Sequence, residues 1–308
     1  MKLIEFNKSF PDELSCKKHF KAYRDQIGVV CKKCGSTDHY WKQDKWQYEC
    51  KKCKFRTTLR SGTVMQSSKL PFQDWYIAMH LITSTKKSFS AKEIQRQLGR
   101  KRYQPVWEML HKLRSVMGLR DGEYKIEGEI ELDEGFFETV DVERTTKSEG
   151  KRGRGSEKQT KVMVMAESKK VEQLKKTKKP DKKVGFIKMK VVNNLKSETV
   201  NKVVEENINR QSTVTTDAYR SYNNLKNVVE THIPQVVEPK QAGKILPWVH
   251  IAIANSKRLL LDIYHRIDDD FLQNYLNEFC YKFNRRYMQD KLFDRLIVAS
   301  VSYRWNQL

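Results

Sequence analysis

Four of the six cysteines fall in two pairs, Cys31-Lys-Lys-Cys34 and, fifteen residues on, Cys50-Lys-Lys-Cys53. Each C-x-x-C is a tight knuckle that aims two thiolates at one point, and two knuckles complete a tetrahedron around Zn²⁺. A closed four-thiolate shell has no open coordination position, so such a metal folds its segment and does no chemistry. Gly35 follows the first knuckle, where the turn wants a flexible residue. The stretch HYWKQDKWQYEC alternates aromatic and polar residues as a short hairpin does. His39 lies within it, but four cysteines already suffice. A thioredoxin-like redox pair is the competing reading, and two pairs at zinc spacing weigh against it. Cys16 and Cys280 stand alone, and Cys280 sits in an apolar helical stretch as a core residue.

Two acids form the second constellation. Asp133 interrupts an apolar strand (Ile130, Leu132, Phe136, Phe137), where a charge is costly unless partnered. Asp217 terminates a short strand, Val214–Thr216, at the edge where ligands gather in open α/β sheets. Singly, each reads as a strand-end or turn residue. Together, on first and fourth strands that are normally adjacent in this topology, they suggest a shared divalent cation held by carboxylate oxygens.

The elements that must position these residues follow from periodicity. Phe72, Trp75, Met79 and Ile82 recur at helical spacing. Ser90-Ala-Lys-Glu93 reads as a capping box opening a second helix, with Ile94 and Leu98 buried and Gly99 ending it. A third helix carries Val106, Leu110, Leu113 and Met117 on one face, with Arg100, Lys101, Arg102, Lys112 and Arg114 on its approach and other side. Two short helices, a tight join and a basic third element are what a DNA-binding helix-turn-helix looks like.

Beyond Gly118 a strand–helix alternation begins. Strands are expected over Glu127–Val140, Lys161–Ala166 and Val184–Val192, then a helix over Ser197–Ile208 capped by Ser197. A strand ending at Asp217, a helix from Ala218, a strand near Val228 and a long helix from about Trp248 complete the order. Between the second and third strands, Ser168–Lys183 holds eight lysines against Glu172 and Asp181 and reads as a solvated insertion. The expected organisation is multidomain: a zinc ribbon with an N-terminal arm (1–65), a helix-turn-helix-like segment (66–122) and an α/β domain with a mixed five-stranded sheet (123–308).

Lys and Arg outnumber Asp and Glu by 60 to 38, a formal charge of +22. Such an excess is costly to compact and suits a polyanion, since each phosphate neutralised releases a counterion. No apolar run approaches the roughly 20 residues of a spanning helix, and the N-terminus lacks a signal-peptide core. A soluble cytoplasmic protein associated with the bacterial nucleoid is expected, with its thiols reduced.

The knuckles CKKC…CKKC, the strand ELDEGFF, the strand end TTDAYRSY and the run LPWVHIAIANSKRLLLDIYHRI followed by YLNEFCYKFNRR carry a resemblance. The chain resembles bacterial insertion-sequence transposases with an N-terminal zinc ribbon and an RNase H-like (DDE/DDH-type, ISXO-like) catalytic domain, over roughly Phe10 to Leu296. The resemblance implies metal-dependent cleavage of double-stranded DNA at transposon ends and joining of the freed 3′ ends to target DNA. It implies Mg²⁺ or Mn²⁺ held by three residues, on the first strand, the fourth strand and the last helix, and a homodimer or higher assembly at synapsis. Asp133 and Asp217 match the first two. The third position departs from the commonest pattern, for no Glu occurs between Glu238 and Glu278.

In such families a basic residue follows the third ligand by seven positions, which at 3.6 residues per turn returns to the same face. Counting back from Lys257 gives His250, and Asn255 is the alternative. Lys257 would then contact a phosphate of the transposon end. Glu278 either faces the site or pairs with Arg285 or Arg286. The rival readings are a non-catalytic or domesticated zinc-ribbon/helix-turn-helix DNA-binding protein and a nuclease on the same fold.

Overall fold

The computed structural model describes residues 1–140, 159–171, 182–236 and 245–305, and groups the chain into two compact units, Met1–Arg120 with Arg285–Leu308, and Asp121–Asn284.

In the first unit, helices α1 (Leu3–Ser9) and α2 (Glu13–Ile27) precede a three-stranded antiparallel sheet of β1 (His39–Lys42), β2 (Gln47–Cys50) and β3 (Arg56–Thr58). Helices α3 (Phe72–Ser84), α4 (Ala91–Gln97) and α5 (Gln104–Gly122) follow, α5 running into the second unit. Ser90 caps α4 by accepting from the Glu93 N–H at 3.1 Å, but the expected reciprocal bond is replaced. The Glu93 carboxylate turns outward to Arg96 (2.6 and 2.9 Å) and Gln97.

Two boundaries differ from the sequence expectation. Ribbon and helices form one unit rather than separate segments 1–65 and 66–122, because α2 joins them. Phe20 packs edge-on against Phe72 (5.4 Å), and the Tyr48 hydroxyl donates to Asp25 at 2.8 Å. Residues 285–305 group with this unit too, not with the α/β domain. Their helix α9 (Leu292–Ser302) buries Leu292, Phe293, Leu296 and Ile297, and the Phe293 ring meets Phe6 and Phe10, each at 5.7 Å. An apolar helical stripe goes where its partners are, whatever its place in the chain.

The second unit is a five-stranded mixed sheet in the order β6-β5-β4-β7-β8, built of β4 (Glu129–Glu138), β5 (Gln159–Lys170), β6 (Lys182–Val192), β7 (Thr213–Asp217) and β8 (Thr231–Gln235). The first three strands form an antiparallel meander, and β7 and β8 join β4 in parallel. This is the RNase H-like arrangement. Side-chain alternation divides the core in two. Ile130, Leu132, Met163 and Met165 pack beneath Val200 and Val204 of α6 (Ser197–Asn207) on one face. Phe137, Val162, Val164 and Ala166 pack on the other face against α7 (Pro247–Ile263) and α8 (Asp269–Asn284).

Local details also differ. Strands β5 and β6 extend into the lysine-rich stretch, where Lys169 pairs with Lys183 and Lys170 with Lys182, while 172–181 lies outside the described residues. Lys196, not Ser197, is the N-cap of α6, held by its N–H donating to Asn194 Oδ1 at 3.0 Å. The helix expected from Ala218 is two 3₁₀ turns, Arg220–Tyr222 and Leu225–Asn227. Asp217 Oδ1 captures the Tyr219 N–H (3.1 Å), and Asn223-Asn224 are poor helix formers.

Candidate functional site

The two knuckles share one backbone design. The Gly35 N–H donates to the Cys31 carbonyl and the Lys54 N–H to the Cys50 carbonyl, both at 2.9 Å. Gly35 and Lys54 both occupy the left-handed region, at φ +71° and +60°. This curl gathers the four sulfurs, whose ligand atoms lie within 4.8 Å of one another, with Cys31–Cys53 at 3.6 Å and Cys34–Cys50 at 3.5 Å. The Cys53 backbone N–H helps pull the Cys50 thiol down to about 6, favouring the thiolate that metals bind. His39 Nδ1 donates to the Thr37 carbonyl (2.9 Å), and the residue stands apart from this set.

The basic residues beside α4 and α5 divide sharply. Lys101 and Arg102 are exposed. Arg100 makes a bidentate pair with the buried Asp74, at 2.7 and 2.8 Å, while keeping an exposed edge. Lys112 and Arg114 correct the sequence expectation: both are buried, at 8 % and 1 % exposure. The Arg114 guanidinium donates to the Phe89 carbonyl (3.4 Å), and the Lys112 ammonium lies 5.4 Å from the Trp305 ring. Helix α5 has no wide polar stripe, because its apolar residues are buried nearly all round.

Strand register sets the acid site. In the parallel β4–β7 pair, Glu129 is opposite Thr213 and Glu131 opposite Thr215, so continuing by two residues sets Asp133 beside Asp217 on the same sheet face. That face is the one α7 covers. Helix α7 starts at Pro247, whose fixed φ suits a first helical position. The His250 Nε2 comes to 3.8 Å from Asp133 Oδ2, with side chains 37 % and 14 % exposed respectively. Two turns on, the Lys257 ammonium lies 5.5 Å from the ring of Phe137, which shares Asp133's strand and face. Asn255 is exposed. Asp133, Asp217 and His250 do not gather as tightly as the four thiols. Burial, with the charges of Glu134 and Asp217 added, pushes the Asp133 carboxyl up to about 7.

Two residues of the ELDEG strand escaped the sequence reading. Glu131, two positions from Asp133 and on its face, accepts from the Trp248 N–H at 2.7 Å and the Val249 N–H at 3.1 Å. It thereby satisfies two of the donors that every helix N-terminus leaves open. Glu134 points to the opposite face and accepts from the buried Tyr222 hydroxyl at 2.7 Å. The available signal was the cluster of acids, Glu131, Asp133 and Glu134, within an otherwise apolar strand. Glu278, which the sequence left open, is buried and 3.5 Å from the Lys282 ammonium. Phe279 and Phe283 are partly buried at the edge of the same core, and Cys280 is fully inside it.

The class defined by this sheet and its acid pair is the RNase H-like unit with carboxylates on adjacent parallel strands. The ISXO2-like transposase domain matches residues 125–284. The chain belongs to this transposase family. No curated protein sequence matches it significantly. Among solved structures, the Mos1 mariner paired-end complex with Mn is similar at 13 % identity, covering 70 % of this chain and 75 % of that one with a TM-score of 0.28. The Mos1 strand transfer complex is similar at 13 % identity, 74 % and 78 % coverage and a TM-score of 0.29. Among the described residues no helix is long and apolar enough to cross a membrane.

Proposed function

We propose that this transposase binds the ends of an insertion sequence, cuts the DNA there and joins the freed 3′ ends to a target duplex. The observation that carries the reading is the pairing of Asp133 and Asp217 on one face of adjacent parallel strands, with the His250 imidazole of α7 brought to Asp133 over that face. Their donor set fits a divalent cation: two carboxylates on neighbouring strands, with an imidazole 3.8 Å from one of them. Imidazole suits Mn²⁺ better than Mg²⁺. Mg²⁺ or Mn²⁺ bound there supplies charge neutralisation at the phosphate and a more acidic attacking hydroxyl.

The chain's own groups orient the reaction. In cleavage, a water oxygen bonds to phosphorus, the bond to the 3′ oxygen breaks, and that oxygen leaves as a 3′-hydroxyl. In joining, the same hydroxyl attacks a target phosphodiester, so one P–O bond forms as another breaks. Lys257, along the same helix face as His250, holds a neighbouring phosphate of the transposon end in this scheme. Asn255, exposed and off that face, serves no ligand role in this scheme.

Cys31, Cys34, Cys50 and Cys53 fit structural Zn²⁺, and the ribbon's hold on α2 makes it a folding and recognition device rather than a catalyst. Lys101 and Arg102, with Arg100's exposed edge, are the basic groups of this unit offered to DNA. Bringing two ends together calls for a dimer or larger synaptic complex. A strand-transfer assay with Mn²⁺ tests the reading. Wild type is expected to cut and join, and Asp217→Ala to do neither. Equal behaviour of the two proteins sinks the catalytic assignment and leaves a DNA-binding protein.

A further inference from the structure

Asp133 and Glu134 are consecutive on β4, so their side chains leave the sheet on opposite faces. The Asp133 face holds the acid site. The Glu134 face opens into a pocket of about 530 Å³ that lies outside that site. Its charged lining is Lys161 of β5, Lys196 at the start of α6, Arg220 in the turn after Asp217, and Glu134 itself. Glu134 is buried and engaged by the Tyr222 hydroxyl at 2.7 Å.

Three cations from three separate elements thus converge on one cavity against a single carboxylate. Keeping like charges together costs stability unless an anion is to be met there. Serines 197 and 221 add hydroxyl donors, and the first N–H groups of the eleven-residue α6 open beside Lys196, whose side chain does not cap them. Every donor type in this lining suits a phosphate oxygen, and Arg220 offers the planar fork that binds one bidentately.

We infer that this pocket takes a backbone phosphodiester of the DNA substrate, gripping the strand on the sheet face opposite the acids. The inference rests on the transposase reading for its choice of DNA over a small phosphate. Arg220 lies three residues beyond Asp217, so a phosphate seated here is tied directly to the strand end that carries a proposed ligand. The strand would be held from both faces of the β4 and β7 ends, with chemistry on one and retention on the other.

The test uses the full chain and a fluorescein-labelled random-sequence duplex, with binding followed by anisotropy over a range of salt without divalent metal. Lys196→Gln/Arg220→Gln is compared with wild type and with Lys226→Gln, an exposed lysine outside the pocket. Both pocket positions are solvent-facing, and an unchanged melting temperature verifies the fold. Each lost phosphate contact is expected to lower the log K against log salt slope by about 1, so the double variant should lose about 2. Lys226→Gln should lose less.

End cleavage and the joining of pre-cut ends then distinguish the source of the phosphate. Loss of cleavage assigns it to the transposon end, and loss of joining alone assigns it to the target. A double variant with the wild-type slope overturns the inference. A wild type that binds with the full slope but never cuts would overturn the catalytic reading and leave this pocket's role in place.

Discussion

The Glu131 carboxylate on β4 is hydrogen-bonded to the backbone N–H of Trp248 at the start of α7, across 117 positions of sequence, at 2.7 Å. One strand therefore carries both a proposed ligand, Asp133, and the anchor for the helix that delivers His250. The side chain of a strand residue acts here as the cap that Leu246, the N-cap residue, cannot supply.

Removing that anchor should loosen α7 before it unfolds the sheet. Glu131→Ala leaves the Trp248 and Val249 N–H groups at the start of α7 without this acceptor, which costs roughly 1–3 kcal/mol. Strand-transfer rate should fall further than thermal stability suggests, because His250 shifts with the helix. Glu131→Gln keeps an acceptor oxygen and should recover much of both. If Glu131→Ala retains wild-type kcat at a temperature where it remains folded, the anchor does not position the site.

The identity of the third ligand separates cleanly from that of the fold. His250→Ala should abolish cleavage with DNA binding intact, whereas Asn255→Ala should cut at close to the wild-type rate. Gel-based cleavage beside anisotropy reads both. The reverse pattern would move the ligand to Asn255.

The paired knuckles make a local prediction about stability. Lys54 holds φ +60° where its counterpart, Gly35, has no side chain to strain. A non-glycine residue in the left-handed region costs roughly 1 kcal/mol, so Lys54→Gly should stabilise the ribbon by up to about that amount. Gly35→Ala should do the opposite. Zinc affinity from chelator competition, run alongside thermal melting, checks both. A Lys54→Gly variant less stable than wild type would show that the lysine's side-chain contacts outweigh the backbone.

Metal removal should act on the same segment. Stripping zinc with a chelator, or Cys31→Ser, should melt the sheet β1–β3 and weaken DNA binding. Hydrogen exchange should then rise in residues 31–58 and stay protected across β4–β6. Uniform loss of protection would mean that the ribbon's metal supports the whole chain.

A buried lysine sets a pH dependence. Lys188 is 6 % exposed, its ammonium donating to Asn207 Oδ1 at 3.3 Å, and burial with the nearby Lys190 charge depresses it from 10.5 to about 8. The folded state therefore binds this proton less tightly than the unfolded chain does. The penalty is fully present below pH 8 and is relieved as pH rises from about 8 to 10.5. Lys188→Met should stabilise the protein at pH 7 by a value on the order of 1–3 kcal/mol and gain little at pH 10. Urea titrations at the two pH values decide it, and an equal gain at both would rule out the charge as the cause.

What the sequence alone determined is what short-range chemistry determines. The C-x-x-C spacing compels a four-sulfur cluster, since two residues between thiols leave few other arrangements. Alternation and helical period placed β4, β7, α3, α5 and α7 close to where they are, and an acid within an apolar strand marked Asp133. Tertiary structure decided the rest, because it depends on partners distant in sequence. Arg114 looked available on a helix, yet packing of α5 on nearly every side buries it. Helix α9 looked continuous with the α/β domain, yet its apolar stripe found Phe6 and Phe10. The helix expected after Asp217 gave way to tight turns once that carboxylate captured the next turn's N–H. Glu131 most clearly shows the division: its type and strand were legible, but the role of a carboxylate follows from the donors it meets, and those belong to a helix 117 positions away.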